Sequence, residues 1–201
     1  MGETPRSILI TSSGPNEGKS FVSANLGVSL AQGVGQYCLL VDCDLRKPAL
    51  HRQFGLSNDY GLVDHLTSQT SLDQLILQTG APELSILPSG PPPDNPAELL
   101  DSSQMVSFIQ EVVWKYNDRI VLFDSPPVTA ASETAVLAKH VDAVVLVVRW
   151  GKSRREHVKE LVELVGREKI IGVVFNAYKT NIIEEKLLGY YDKQQSYYYY
   201  S

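Results

Sequence analysis

Residues Ser12–Ser20, SSGPNEGKS, join an apolar run to an amphipathic one and carry the residue types needed to hold an oxyanion. Backbone N–H groups can bind an anion only if little side chain stands in the way, and a helix N-terminus behind them adds to the attraction. Gly14 and Gly18 supply that freedom, and Pro15, Asn16 and Glu17 complete the turn between them. Lys19 can reach the outer phosphates of a nucleotide, and Ser20 can ligate Mg²⁺. A phosphate loop in its usual form has a glycine five residues before Gly18, where this chain has Ser13. The competing interpretation is a glycine-rich turn whose helix is capped by Ser20.

Three aspartates strengthen the phosphate-loop reading. Asp42 and Asp44 lie in LLVDCDLRKP, and Asp124 ends the apolar run of IVLFDSPP. Carboxylates at strand ends of a parallel sheet face the crevice in which ligands bind. An aspartate in that position can hold Mg²⁺ near a phosphate loop, often through water. Two aspartates two residues apart in an extended segment lie on one side of the chain. One could orient a metal-bound water while the other accepts a proton from an incoming hydroxyl. Strand-end capping would account for any one of the three, but poorly for all three beside one phosphate loop.

These residues need a frame. Ser7–Ser13, Tyr37–Asp42, Leu84–Gly90, Arg119–Ser125, Asp142–Trp150 and Lys169–Asn176 read as strands. Helical spacing occupies Lys19–Gly33, about Ser102–Tyr116, and the segments SETAVLAKH and SRREHVKELVELVGRE. Strands apolar on both faces that alternate with helices predict an α/β fold, a doubly wound, mostly parallel sheet with helices on both faces. The Pro-rich stretch Pro88–Pro96 falls between elements of one sheet and reads as a rigid loop, not a linker. The 201 residues suit one domain, taken as 1–189, followed by a flexible tyrosine-rich tail at 190–201.

Six of the ten tyrosines lie in the last twelve residues, Tyr190, Tyr191 and Tyr197, Tyr198, Tyr199 and Tyr200. Phenols at a terminus without apolar periodicity have no core to enter. They are either low-complexity residue or substrate. The net charge of −5 excludes generic nucleic-acid binding, which requires a basic surface. Cys38 and Cys43 match neither a zinc pattern nor a disulfide framework, which fits a reducing cytoplasm. His51, His65, His140 and His157 show no ligand spacing, and no run approaches the ~20 apolar residues that span a bilayer. Arg46 and Lys47 follow the paired aspartates and are candidates for phosphate or subunit contact. Arg154–Glu156 opens a helix with positive charge, against its dipole.

SGPNEGKSFVSANL, LLVDCDLRKPALHRQFG, LPSGPPPDNPAELL, RIVLFDSPP and the tyrosine cluster resemble, in order and over nearly the whole chain, the bacterial tyrosine kinases (BY-kinases) of capsule and exopolysaccharide biosynthesis. The resemblance implies a P-loop NTPase fold of the partitioning-ATPase kind and ATP- and Mg²⁺-dependent autophosphorylation of the tail. It places Lys19 and Ser20 in the first Walker motif, Asp42 and Asp44 in the second (A′) motif and Asp124 in Walker B. It makes Asp42 a metal-shell residue and base for the tyrosine hydroxyl, assisted by Asp44, and lets Asn176 help read adenine, although capping the next segment would also suit that residue. The partners it implies are the chain's own or a neighbour's tail in a homo-oligomer, a membrane-bound polysaccharide co-polymerase as activator, and a tyrosine phosphatase. The domain would then work at the inner face of the plasma membrane, through a partner or a missing membrane segment. Two departures stand out. MGETPR replaces the Glu-x-x-Arg-x-x-Arg helix that helps relatives form rings, and Asn16 stands where relatives commonly carry glycine. A partitioning-type switch ATPase is disfavoured because no lysine precedes Lys19. A non-catalytic nucleotide-binding scaffold is disfavoured by the complete set of Lys19, Ser20 and three aspartates.

Overall fold

The computed structural model describes residues 4–126 and 131–179. Its strands are β1 (Ser7–Ser12), β2 (Tyr37–Asp42), β3 (Leu77–Gln78), β4 (Leu84–Leu87), β5 (Arg119–Asp124), β6 (Ala143–Arg149) and β7 (Ile170–Asn176). They form one sheet in the order β3-β4-β2-β5-β1-β6-β7, parallel throughout except where β3 runs antiparallel to β4. The helices are α1 (Lys19–Ala31), α2 (Leu50–Gln53), α3 (Leu62–Ser68), α4 (Leu72–Leu75), α5 (Pro96–Leu100), α6 (Ser103–Lys115), α7 (Ala131–His140) and α8 (Arg155–Val165). The doubly wound α/β expectation holds, and its six strands and four long helices are all present within a few residues. Added to them are the two-residue edge strand β3 and the short helices α2 to α5, too brief to produce a hydrophobic period.

Alternation along each strand splits the core in two. On one face Ile8, Ile10, Leu40 and Leu122 pack with Val22, Ala24 and Ala31 of α1 and Leu50 of α2. On the other, Leu9, Leu39, Phe123 and Leu146 pack with α3 to α8, contributing among others Leu62, Phe108, Leu137 and Leu161. The β1, β2, β4 and β6 interiors are near-continuously buried, as their uninterrupted apolar runs require. β7 differs. Its run IIGVVFN reads like the other covered strands, yet it is the sheet's edge, and Ile171, Val173 and Phe175 are each at least half exposed among the described residues. Apolar composition reports strand propensity; the position in the strand order decides cover.

The topology determines where the site lies. The register sets Ile10 of β1 beside Asp124 of β5, and Asp124 beside Asp42 of β2. The carboxyl ends of three neighbouring strands therefore open on one crevice. The start of the Pro-rich loop is docked against α3. Pro88, Ser89 and Gly90 are buried, the Pro88 and Ser89 carbonyls accept the N–H groups of Leu62 and Val63, and the Asn58 side chain brackets Gly90.

Candidate active site

The loop after β1 turns through Asn16 at φ 57° and Gly18 at φ 97°, both left-handed. Asparagine tolerates that region, so the departure at position 16 keeps the turn. Gly18 is required twice over, by its φ and because a Cβ there would collide with the Asn176 amide. Beyond it α1 begins at Lys19, so the loop's N–H groups lie at the positive end of a 13-residue helix. The Lys19 ammonium is buried and donates to Ser12 Oγ (3.3 Å), whose hydroxyl donates to the Gly14 carbonyl (2.8 Å).

The three aspartates meet around this loop in different surroundings. Asp124 is 1% exposed; its Oδ1 accepts from Ser23 (3.1 Å), and its Oδ2 is buried with no partner in the protein. Burial pushes the Asp124 carboxyl up to about 6, against the pull of the Ser20 hydroxyl, Lys19 and the Ser23 hydroxyl. Asp42 is wholly buried, and its two oxygens accept the N–H groups of Asp44 (3.1 Å), Ala49 (3.2 Å) and Leu50 (3.0 Å). Burial, then the neighbouring Asp124 charge, raises its carboxyl well above the ordinary range. Asp44 lines the crevice and accepts from the Lys47 N–H (3.1 Å); burial raises its carboxyl too, opposed by that N–H and by Lys19. Burial lowers the Lys19 ammonium, and Asp124, Asp44 and Glu17 oppose this. Three carboxyl groups beside one ammonium, with the Asp124 Oδ2 unmet, leave the cluster short of donors.

That deficit and the orphaned Asp124 oxygen suit a hard divalent cation, for which carboxylate and hydroxyl oxygens are the usual ligands. Asp124 and Ser20 could hold it, with Asp42 adjacent. The crevice, about 400 Å³, is walled by Pro15, Asn16, Lys19 and Ser20 on the loop side and by Asp44 and Arg46 opposite. The structure thus brings Gly14 to Ser20, Asp42, Asp44 and Asp124 together. Asn176 reaches the loop from β7: its amide donates to the Glu17 carbonyl (2.9 Å) while its Oδ1 accepts the Ala177 N–H (2.8 Å). The tyrosines from Tyr190 to Tyr200 lie outside the described residues.

Several functional contacts had only faint sequence signals. Ser23 sits one helical turn beyond Lys19, the spacing that aims both side chains at one spot. Glu133, 1% exposed in the first turn of α7, accepts from Arg46 (2.8 Å), and its other oxygen has no partner in the protein. Nothing near Arg46 in the sequence points to that pairing. Buried Cys38 and Cys43 are free, and burial raises the Cys38 thiol to about 12 and Cys43 well above its usual value. Both are inert packing residues.

The family model for the CobQ/CobB/MinD/ParA nucleotide binding domain (CbiA) matches residues 8–196. The tyrosine-protein kinase YwqD of Bacillus subtilis (strain 168) is 37% identical over 194 residues, covering 96% of this chain and 80% of that protein. The chain belongs to the bacterial tyrosine-protein kinases. Among solved structures, the chimerical protein CapA2B2 shares 36% identity at a TM-score of 0.80, with 89% of this chain and 78% of that one covered. The septum site-determining protein MinD from Pyrococcus horikoshii OT3, complexed with Mg-ADP, superposes at 0.72 with 25% identity, covering 89% of this kinase and 73% of MinD. Other kinase relatives are longer, and this chain spans 23% of the putative kinase EpsB of Ralstonia nicotianae. The resemblance first seen in the motifs thus extends to the fold, and this kinase is a nucleotide-binding P-loop domain.

Proposed function

We propose that this kinase transfers the γ-phosphoryl group of ATP, with Mg²⁺, to its own C-terminal tyrosines, Tyr190, Tyr191 and Tyr197 to Tyr200, and thereby regulates the synthesis and export of a capsule or exopolysaccharide polymer. One observation carries the reading: a buried lysine and three carboxylates, one with an orphaned oxygen, converge on a single phosphate loop. The MinD relative's Mg-ADP supports the ligand class.

The loop N–H groups and the α1 N-terminus bind phosphate oxygens, and Lys19 neutralises charge on the β- and γ-phosphates. Ser20 and Asp124, with Asp42 beside them, would hold Mg²⁺, which would supply further neutralisation of the phosphates. A tyrosine oxygen attacks the γ-phosphorus. The new O–P bond forms as the bond to the β-phosphate oxygen breaks, ADP leaves with that electron pair, and the phenolic proton passes to a carboxylate. Asp44 is the group on the crevice wall that can receive it, and its raised basicity suits the task. Asp42, fully buried behind it, fixes the turn that presents Asp44 through the Asp44 N–H.

No helix among the described residues is long and apolar enough to cross a membrane. From the resemblance to the capsule and exopolysaccharide kinases, the proposal also includes a membrane-bound co-polymerase as activator, a tyrosine phosphatase as antagonist, and tail exchange within a homo-oligomer at the inner membrane face. Incubation with ATP and Mg²⁺ followed by phosphotyrosine detection is the test. The parent should label, and Lys19→Met should abolish labelling while leaving the circular dichroism spectrum unchanged. Labelling of Lys19→Met at the parental rate would overturn the assignment.

A further inference from the structure

We infer that Glu17, Ser13 and Ser153 form a latch holding the phosphate loop in its anion-binding shape, which makes Glu17 and Ser153 positioning residues for the nucleotide. The inference rests on the nucleotide reading of the loop. The Glu17 carboxylate does not line the crevice; the side chain is 2% exposed and turns into the protein. Its Oε1 and Oε2 accept the Ser13 hydroxyl at 3.1 and 3.2 Å, and Oε1 also accepts the Ser153 hydroxyl at 2.7 Å. Ser153 lies 136 residues away, just ahead of α8, and its Oγ accepts the Arg149 N–H (2.8 Å). The Arg149 guanidinium donates to the Asn16 carbonyl (2.7 Å), and Asn176 holds the Glu17 carbonyl. Two consecutive loop residues are therefore fastened to the ends of β6 and β7 through both backbone and side chain.

The arrangement explains Ser13. A buried carboxylate must be met by donors, and the Ser13 hydroxyl, where phosphate loops usually have glycine, is one of the two it has. Gly14 leaves room for this: a Cβ there would stand 3.3 Å from Glu17 Oε1. An anion site whose N–H groups are already aimed spends no binding energy on ordering the loop, so loosening the latch should weaken nucleotide binding more than it slows transfer.

The test is ADP and ATP titration with a fluorescent analogue, initial-rate kinetics and thermal melting on Ser153→Ala, Ser153→Thr and Ser13→Gly. Ser153→Ala should raise the ADP Kd and the KM for ATP by about tenfold, the worth of a hydrogen bond to a charged group, with kcat within about twofold. Ser153→Thr, which keeps the hydroxyl, should restore binding. Ser13→Gly should also weaken binding, although it makes the motif more conventional. Parental Kd in both Ser153→Ala and Ser13→Gly, whatever their melting temperatures, overturns the latch, as does a Ser153→Thr variant as weak as Ser153→Ala. Failure of the parent itself to bind nucleotide would instead overturn the reading on which the latch rests.

Discussion

Asp42 and Asp44 are one residue apart from being neighbours, yet only Asp44 reaches the crevice; Asp42 spends both oxygens on three backbone N–H groups. Asp44→Asn should consequently lower kcat by 10²–10⁴-fold, the usual worth of a proton acceptor, with ADP affinity little changed. Phosphotyrosine initial rates beside ADP titration check this, and an unaltered kcat would remove Asp44 from the chemistry. Asp124 makes a pH prediction. Its folded value, about 6, lies above that of an ordinary carboxyl at 3.8, so folding favours the neutral form. The corresponding stability is fully present below about pH 4 and is lost as pH rises through 6. Melting of the metal- and nucleotide-free protein should show that loss, about 3 kcal/mol, and Asp124→Asn should reduce it. Magnesium binding requires the ionised carboxylate, so Mg²⁺ affinity should rise across the same window.

Among the elements, the start of α3 shows how closely the connections are packed. Gly61 is extended, at φ 177°, so its backbone would suit any residue. The constraint is proximity: a Cβ there would collide with the Pro88 carbonyl and the Gly90 nitrogen. The Asp64 carboxylate accepts the Gly61 N–H (2.8 Å), completing the junction between α3 and the proline-rich loop. Gly61→Ala has no flexible side chain to displace, so overpacking should cost about 2 kcal/mol, read as a lowered urea midpoint with unchanged m. Along the same carboxyl edge of the sheet, α1 presents small residues to the strands, which brings Ser23 within 3.1 Å of Asp124.

For the whole molecule, strand order converts separate motifs into one crevice, and net charge bears on the proposed phosphorylation of the tail. The segment from Tyr190 to Ser201, twelve residues, spans at most ~40 Å when extended. Each phosphotyrosine adds about −1.5 to −2 charges, so six add roughly −9 to −12. On a chain of net charge −5 with a carboxylate-rich crevice, modified tails should be expelled. Replacing Tyr190, Tyr191 and Tyr197 to Tyr200 by Phe keeps the rings and deletes the acceptors. That variant should bind ATP normally, lose nearly all phosphotyrosine signal and, wherever the parent oligomerises, remain associated when ATP is added, as followed by blotting and light scattering. Mapping that placed the label mainly at Tyr37, Tyr60, Tyr116 or Tyr178 would refute tail phosphorylation.

The sheet was legible from Ile8 onward because buried parallel strands need uninterrupted apolar runs, and the loop was legible because an anion site needs Gly14, Gly18 and Lys19 close together, here within six residues. Those are local requirements, written within a dozen residues. The exposure of β7 was not legible, since IIGVVFN has the same composition at an edge as in the centre. Neither was the difference in surroundings between Asp42 and Asp44, which depends on the amides of Ala49 and Leu50 folding back over Asp42. The pairings of Glu17 with Ser153 and of Arg46 with Glu133 cross 136 and 87 residues of chain. No periodicity records such contacts. The sequence by itself determined the fold class, the phosphate loop and its carboxylates, because backbone geometry and burial act over neighbouring residues. The tertiary structure alone decided which carboxylate faces the crevice and what holds the loop in place, because burial and hydrogen-bond partners come from the strand order that brings distant residues together.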